Sequence, residues 1–97
     1  MEDSESMEPL SDEELDTYGF VTSSARRRAV VKKLYNDPGT PTEIANRTDI
    51  SLSHVSNILS ELVDEDVAVC VNPDRKRGRV YRLTELGDRV AKKLFEE

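Results

Sequence analysis

The densest cluster of charge in this 97-residue chain is Arg75, Lys76, Arg77 and Arg79, with Arg82 close behind and only Asp74 against them. Like charges repel, so a loop that required only solubility would mix signs. A patch of one sign suits a partner with closely spaced negative charge, such as the phosphates of a DNA duplex. Arg77 or Arg79 could also enter a narrow minor groove. The competing reading is a solvated charge run. Upstream, Ser53, His54, Ser56, Asn57 and Ser60 alternate with Val55, Ile58, Leu59 and Leu62. At 100° per residue this gives one apolar stripe, widened by Val63, and one polar face. Asn57 has the donor and acceptor pair that matches an adenine edge, and the serines suit bases or phosphates. Taken alone, such a face is the solvent side that amphipathic helices normally have, and a single exposed histidine is no more telling.

The elements that must position these groups are legible from period and punctuation. From Ser23, apolar residues recur at three- and four-residue steps through Ala25, Ala29, Val30, Val31, Leu34 and Tyr35, and Asn36-Asp37-Pro38-Gly39 stops them. Arg26, Arg27 and Arg28 fall in the first turn of this helix, where the macrodipole disfavours cations. One or two of them, Arg26 and Arg27 foremost, are therefore expected at an anion-binding surface, and some could pair with the acidic segment instead. A second helix opens at Thr40, with Pro41 in its first position and Glu43 placed to close a capping box, and runs to about Thr48. After Asp49-Ile50, Ser51 caps the helix bearing the polar face. Thr40, Thr42 and Ser51, near the starts of the paired helices, complete the candidate contact set.

Val67 to Val71 then reads as a strand, Asn72 to Gly78 as a turn and Val80 to Leu83 as the returning strand, which makes a β-hairpin with the cations at its tip. Thr84 caps a last helix with Leu86, Val90, Ala91 and Leu94 inward. Gly87 in its first turn costs about 1 kcal/mol relative to alanine, which implies close packing there. Tyr18, Phe20, Tyr35 and Phe95 are expected in the core or a subunit contact, and Cys70 as a small sheet or core residue.

Charge divides the chain. The whole carries 20 acids, 14 bases and a net charge of -6, yet residues 1–16 hold eight of the acids and no base. The remainder has a net charge of about +2. Residues 1–17 are accordingly expected to be a disordered acidic tail, with a weak helical pattern from Leu10 to Leu15 and Ser11 as its cap. It serves as a solubilising tail, a contact for a protein partner, or a competitor covering a basic surface at low ionic strength. Residues 18–97 form one small domain. No apolar run approaches a membrane span and the acidic start is unlike a signal peptide, so the expectation is a cytoplasmic protein. One cysteine and one histidine allow no disulfide and no Cys/His metal cluster, and scattered glycines give no phosphate loop. Nothing points to an enzyme, a cofactor or a metal. Nine arginines against five lysines, with high acidity, suggest a salt-rich cytoplasm.

Pro41 to Ser60 has the spacing of a helix-turn-helix, with Ala45 small where two helices cross, Ile44 and Ile50 beneath, and Val55 and Ile58 locking the second helix. Asp49 stands where the tight turn usually has glycine, and tolerates the left-handed region better than most residues. With the hairpin following and Tyr81-Arg82-Leu83-Thr84-Glu85-Leu86-Gly87 leading into a final helix, the chain resembles winged helix-turn-helix transcription regulators of the MarR and ArsR type, in particular compact archaeal, including haloarchaeal, members. The resemblance covers about residues 21–95. It implies a mainly α fold with a β-hairpin, a homodimer joined through the Ser23–Asn36 and terminal helices, and a double-stranded DNA partner. The third helix would enter the major groove and the basic wing would grip the backbone or minor groove. The alternatives are a winged-helix protein-protein interaction module and an RNA-binding or transcription-machinery accessory protein.

Overall fold

The computed structural model describes residues 10–96. In chain order these form α1 (Asp12–Thr22), α2 (Ala25–Asn36), α3 (Pro41–Thr48), α4 (Leu52–Asp64), β1 (Ala68–Cys70), β2 (Tyr81–Leu83) and α5 (Glu85–Phe95). This is the winged helix-turn-helix order anticipated from the sequence, with one helix added at the front.

That helix corrects the expectation of disorder for residues 12–17. Ser11 caps α1 through a full capping box: its hydroxyl accepts from the Glu14 backbone N–H at 3.2 Å, and the Glu14 carboxylate accepts from the Ser11 N–H at 3.0 Å. Asp12, Glu13 and Glu14 lie in the first turn, where the helix dipole favours acids. Local acidity alone argued for a solvated segment. What outweighs it is burial, because Thr17 and Val21 are enclosed and Tyr18 and Phe20 pack on the core. The Glu14 carboxylate also accepts from Arg89 Nε on α5 at 2.6 Å. The Ser11 backbone hydrogen bond, then Arg89, hold the Glu14 carboxyl below its usual range, and the same contact raises Arg89. The rest of the acidic segment expected to be disordered, residues 1–9, lies outside the described residues.

The other helix starts follow their caps. Ser24, Thr40, Ser51 and Thr84 each accept from the backbone N–H three residues on, and Thr40 with Glu43 completes the expected capping box. Two left-handed residues set the helix ends that matter. Asp49, at φ 62° and ψ 30°, makes the tight turn between α3 and α4. Asp66, at φ 63°, terminates α4. There the Val67 N–H donates to Leu62 O at 2.8 Å and the Asp66 N–H to Val63 O at 3.0 Å, the paired bonds of a Schellman motif.

β1 and β2 pair antiparallel, with Ala68 opposite Leu83, Val69 opposite Arg82 and Cys70 opposite Tyr81. The regular strands are shorter than the apolar runs that foreshadowed them. A rung not foreseen joins Gly39 to Tyr81 in both directions, at 3.1 and 2.8 Å, and ties the end of α2 to the hairpin. α5 then crosses close to the start of β1. A Cβ on Gly87 would lie 2.1 Å from the Val67 carbonyl oxygen, so only glycine fits, as the residue's position suggested.

Val30, Val31, Leu34, Ile44, Leu62 and Val90 are among the buried core residues. α2 is the central element, packed by α1, α3, α4, α5 and β2. α1 packs against both it and α5. Two apolar assignments change: Val63 is exposed rather than part of the stripe, and Ala25 is exposed. Tyr35 stacks near Phe95 with ring centroids 6.2 Å apart, and its hydroxyl donates to Glu96, which pushes its pKa up to about 12.

Candidate nucleic-acid interface

α4 turns Val55, Ile58, Leu59 and Leu62 inward, and this fixes its opposite side. Ser53, His54, Ser56, Asn57 and Ser60 are all exposed there, as the 100° reading required. Ser51 sits at the N-cap with its hydroxyl accepting from the His54 N–H at 3.3 Å. Thr40 is occupied in the equivalent way at the start of α3, accepting from the Glu43 N–H at 3.2 Å. Both hydroxyls thus serve the helix ends first, although each retains a proton to donate outward. Thr42 is exposed on the first turn of α3.

Thr42, Ala45 and Asn46 of α3, with Asp49 and Ile50 of the turn and Ser51 and Leu52 at the start of α4, line a shallow groove. Leu52 and Asn46 were not among the sequence candidates. Leu52 is 50% exposed, although it reads as one more apolar residue of an apolar-rich helix. The period gives no signal, because at 100° per residue it falls within about 20° of the buried Leu59.

The hairpin tip is built by Asn72. Its side-chain oxygen accepts from the Val80 N–H at 2.7 Å, its amide donates to Gly78 O at 3.1 Å, and its carbonyl accepts from the Arg75 N–H at 3.1 Å. Gly78 provides the positive φ, 67°, as anticipated. Arg79 folds back on the loop: Nε donates to Arg75 O at 2.6 Å and Nη2 to Pro73 O at 3.1 Å. Arg82 likewise donates to Leu83 O at 3.0 Å. Arg75, Lys76 and Arg77 are exposed, and their side chains have no hydrogen-bonding or ionic partner among the described residues. The loop thus uses Arg79 to brace itself and presents three cations outward.

The arginine run at the start of α2 is split. Arg26 and Arg28 are exposed. Arg27, expected at the contact surface, is instead held within the fold. Its guanidinium lies 4.0 Å from the Phe20 ring centroid, donates to Phe20 O at 2.6 Å and Ser23 Oγ at 3.0 Å, and pairs with Glu61 at 3.1 Å. Its side chain is only 17% exposed. Among the described residues, no three His, Cys, Asp or Glu side chains group to hold a metal ion, and no helix is long and apolar enough to cross a membrane.

Comparison with protein families places this arrangement. The model of the HVO_A0261 N-terminal domain matches residues 15–96, from within α1 to the end of α5. The chain belongs to that family. Its domain therefore begins inside the segment that composition assigned to the acidic tail. Comparison with curated proteins gives no match. Among solved structures, the chain is similar to the domain Mb0332 (fragment 1–100) of Mycobacterium bovis, described as a homodimeric winged helix-turn-helix DNA-binding domain and a possible ArsR-family transcriptional regulator. The TM-score is 0.70 at 18% identity, over 90% of this chain and 85% of that one. It is also similar to the C30AH42A mutant of Lactococcus lactis ZitR, with TM-score 0.66 and 24% identity over 73% of this chain, where it spans about half (49%) of the ZitR chain. The apo form of the same mutant gives TM-score 0.66 at 21% identity, over 89% of this chain and 71% of that one. At these identities the likeness establishes the winged helix-turn-helix fold.

Proposed function

We propose that the protein is a double-stranded DNA-binding transcription regulator rather than an enzyme, with α4 in the major groove and the hairpin tip on the adjacent backbone or minor groove. The observation that carries this reading is the trio Arg75, Lys76 and Arg77, exposed and without a side-chain partner among the described residues, in a chain whose α4 exposes Ser53, His54, Ser56, Asn57 and Ser60. A fixed cation without an internal partner does nothing for the stability of its own loop, and phosphates are the partner that closely spaced cations fit. Ser53, Ser56, Asn57 and Ser60 have the groups for base edges or phosphates. Arg26 and Arg28 remain candidates for flanking phosphates, while Arg27 does not. The ArsR-family description of Mb0332 supports the same reading. The alternative modules, which bind protein or RNA, have no comparable observation behind them.

The acting form is a homodimer, as in Mb0332, with α1 and α5 rather than α2 supplying the contact. Leu15 on α1 is 54% exposed, and Gly19 one turn later has open space where a side chain would be. The net charge of -6 suits a salt-rich cytoplasm, and stability rising with KCl would support that point while a flat series would remove it.

The test is fluorescence anisotropy of mixed-sequence duplexes across a salt series. Log affinity should fall linearly with log salt, at about −0.9 per phosphate neutralised. Absence of binding in dilute buffer would overturn the reading.

A further inference from the structure

The groove at the helix-turn-helix corner suggests more than phosphate contact. Leu52 is the first residue of α4, and half of it is exposed to solvent. Every other exposed residue in the first two turns of that helix is polar: Ser53, His54, Ser56 and Asn57. An exposed leucine there contributes little to its own core, whose stripe is complete without it from Val55 to Leu62. Around it, Ala45 and Ile50 extend the apolar floor, while Thr42, Asn46 and Ser51 surround that floor with uncharged hydrogen-bonding groups. The one charge in the lining is the Asp49 carboxylate, which repels phosphate. The occupant that fits is uncharged, with an apolar projection beside donors and acceptors.

Resting on the DNA-binding reading above, the geometry points to Leu52 as a specificity-determining residue that packs against the 5-methyl group of a thymine in the major groove. The first turn of a recognition helix is the part that meets base edges. In that groove thymine alone among the four bases displays an apolar group, and its O4 lies beside the methyl as an acceptor for a neighbouring hydroxyl or amide. Thr42 and Asn46 on α3 are the groups in the groove that can meet such an edge or the sugar next to it.

The experiment uses the full chain. Duplexes enriched from a random pool by binding to it are resynthesised with deoxyuridine in place of thymidine, which removes the methyl groups and leaves every hydrogen-bonding edge intact. Wild type is expected to lose about fourfold in affinity on the uracil duplex, the worth of one buried methyl group. Leu52→Ala is expected to bind the two duplexes equally, with the salt slope of wild type, and Leu52→Met to keep the preference for thymine. Equal wild-type affinity for the two duplexes overturns the inference, and that comparison needs no variant. A preference undiminished in Leu52→Ala overturns it as well. Failure to enrich any duplex is a different result, because it removes the DNA-binding reading itself.

Discussion

The start of α2 and the tip of the hairpin each carry a tight run of cations, Arg26-Arg27-Arg28 and Arg75-Lys76-Arg77, and the fold uses them in opposite ways. At α2 the middle arginine is drawn in, against the Phe20 ring and toward Glu61. At the hairpin the bracing is done by Arg79, outside the run, and all three members stay exposed. Charge density alone does not distinguish the cases. What does is the set of partners within reach: α1 offers Arg27 the Phe20 carbonyl and ring and α4 the Glu61 carboxylate, whereas at the hairpin Arg79 takes Pro73 O and Arg75 O.

Four measurements would break or sharpen that contrast. The largest effect is expected from replacing Arg75, Lys76 and Arg77 together with alanine. The salt slope of DNA binding should become shallower by up to about 3, and affinity in dilute buffer should fall about a hundredfold, while thermal stability changes by less than about 0.5 kcal/mol. An unchanged slope would make the two runs alike after all. Next is Arg27→Ala, which removes the charge-assisted hydrogen bonds to Phe20 O, Ser23 Oγ and Glu61 and leaves Phe20 O with the Ser23 hydroxyl as its donor. Denaturant unfolding should show a loss of about 2 kcal/mol, and the salt slope should stay that of wild type. A shallower slope would return Arg27 to the contact surface.

Asn72→Ala tests the brace rather than the cations. It deprives the Val80 N–H and Gly78 O of their partners at an open, solvent-facing tip, so a loss of about 1 kcal/mol is expected. DNA affinity should weaken more than that loss of stability explains, because the trio is no longer held in one arrangement. The smallest effect concerns Glu14. Its carboxyl titrates below the ordinary 4.5, so its contribution to stability is complete above that value and is lost as pH falls through the depressed one. The stability difference between wild type and Glu14→Gln should thus be constant near neutrality and shrink only on acidification below the ordinary 4.5. A difference that grows on acidification would reverse the sign and dissociate α1 from the Arg89 contact.

Much of the frame was legible because its signals are local. Capping residues announced α3, α4 and α5 through the hydrogen bond each makes three residues on, and turn chemistry announced the hairpin. Asp49 was correctly expected to take the left-handed position, and Gly87 to mark a close approach. The polar face of α4 followed from its period. α1 was misjudged because four of its first five residues are acids, and the contacts that order it come from α2 and, far away in sequence, from α5. Leu52 was passed over for the reverse reason: an apolar residue in an apolar-rich helix gives no warning that it faces outward.

The sequence by itself therefore determined where helices and strands begin, which side of α4 is polar, and that one loop concentrates positive charge, since each depends on residues within a few positions of one another. Only the tertiary structure decided that α2 is the hub and α1 its cover, that Gly39 bonds to Tyr81, and that Arg27 is enclosed while Arg75, Lys76 and Arg77 are not. Those outcomes depend on which surfaces meet across tens of residues. A side chain's partners there are set by the packing of whole elements, a quantity no short window of sequence contains.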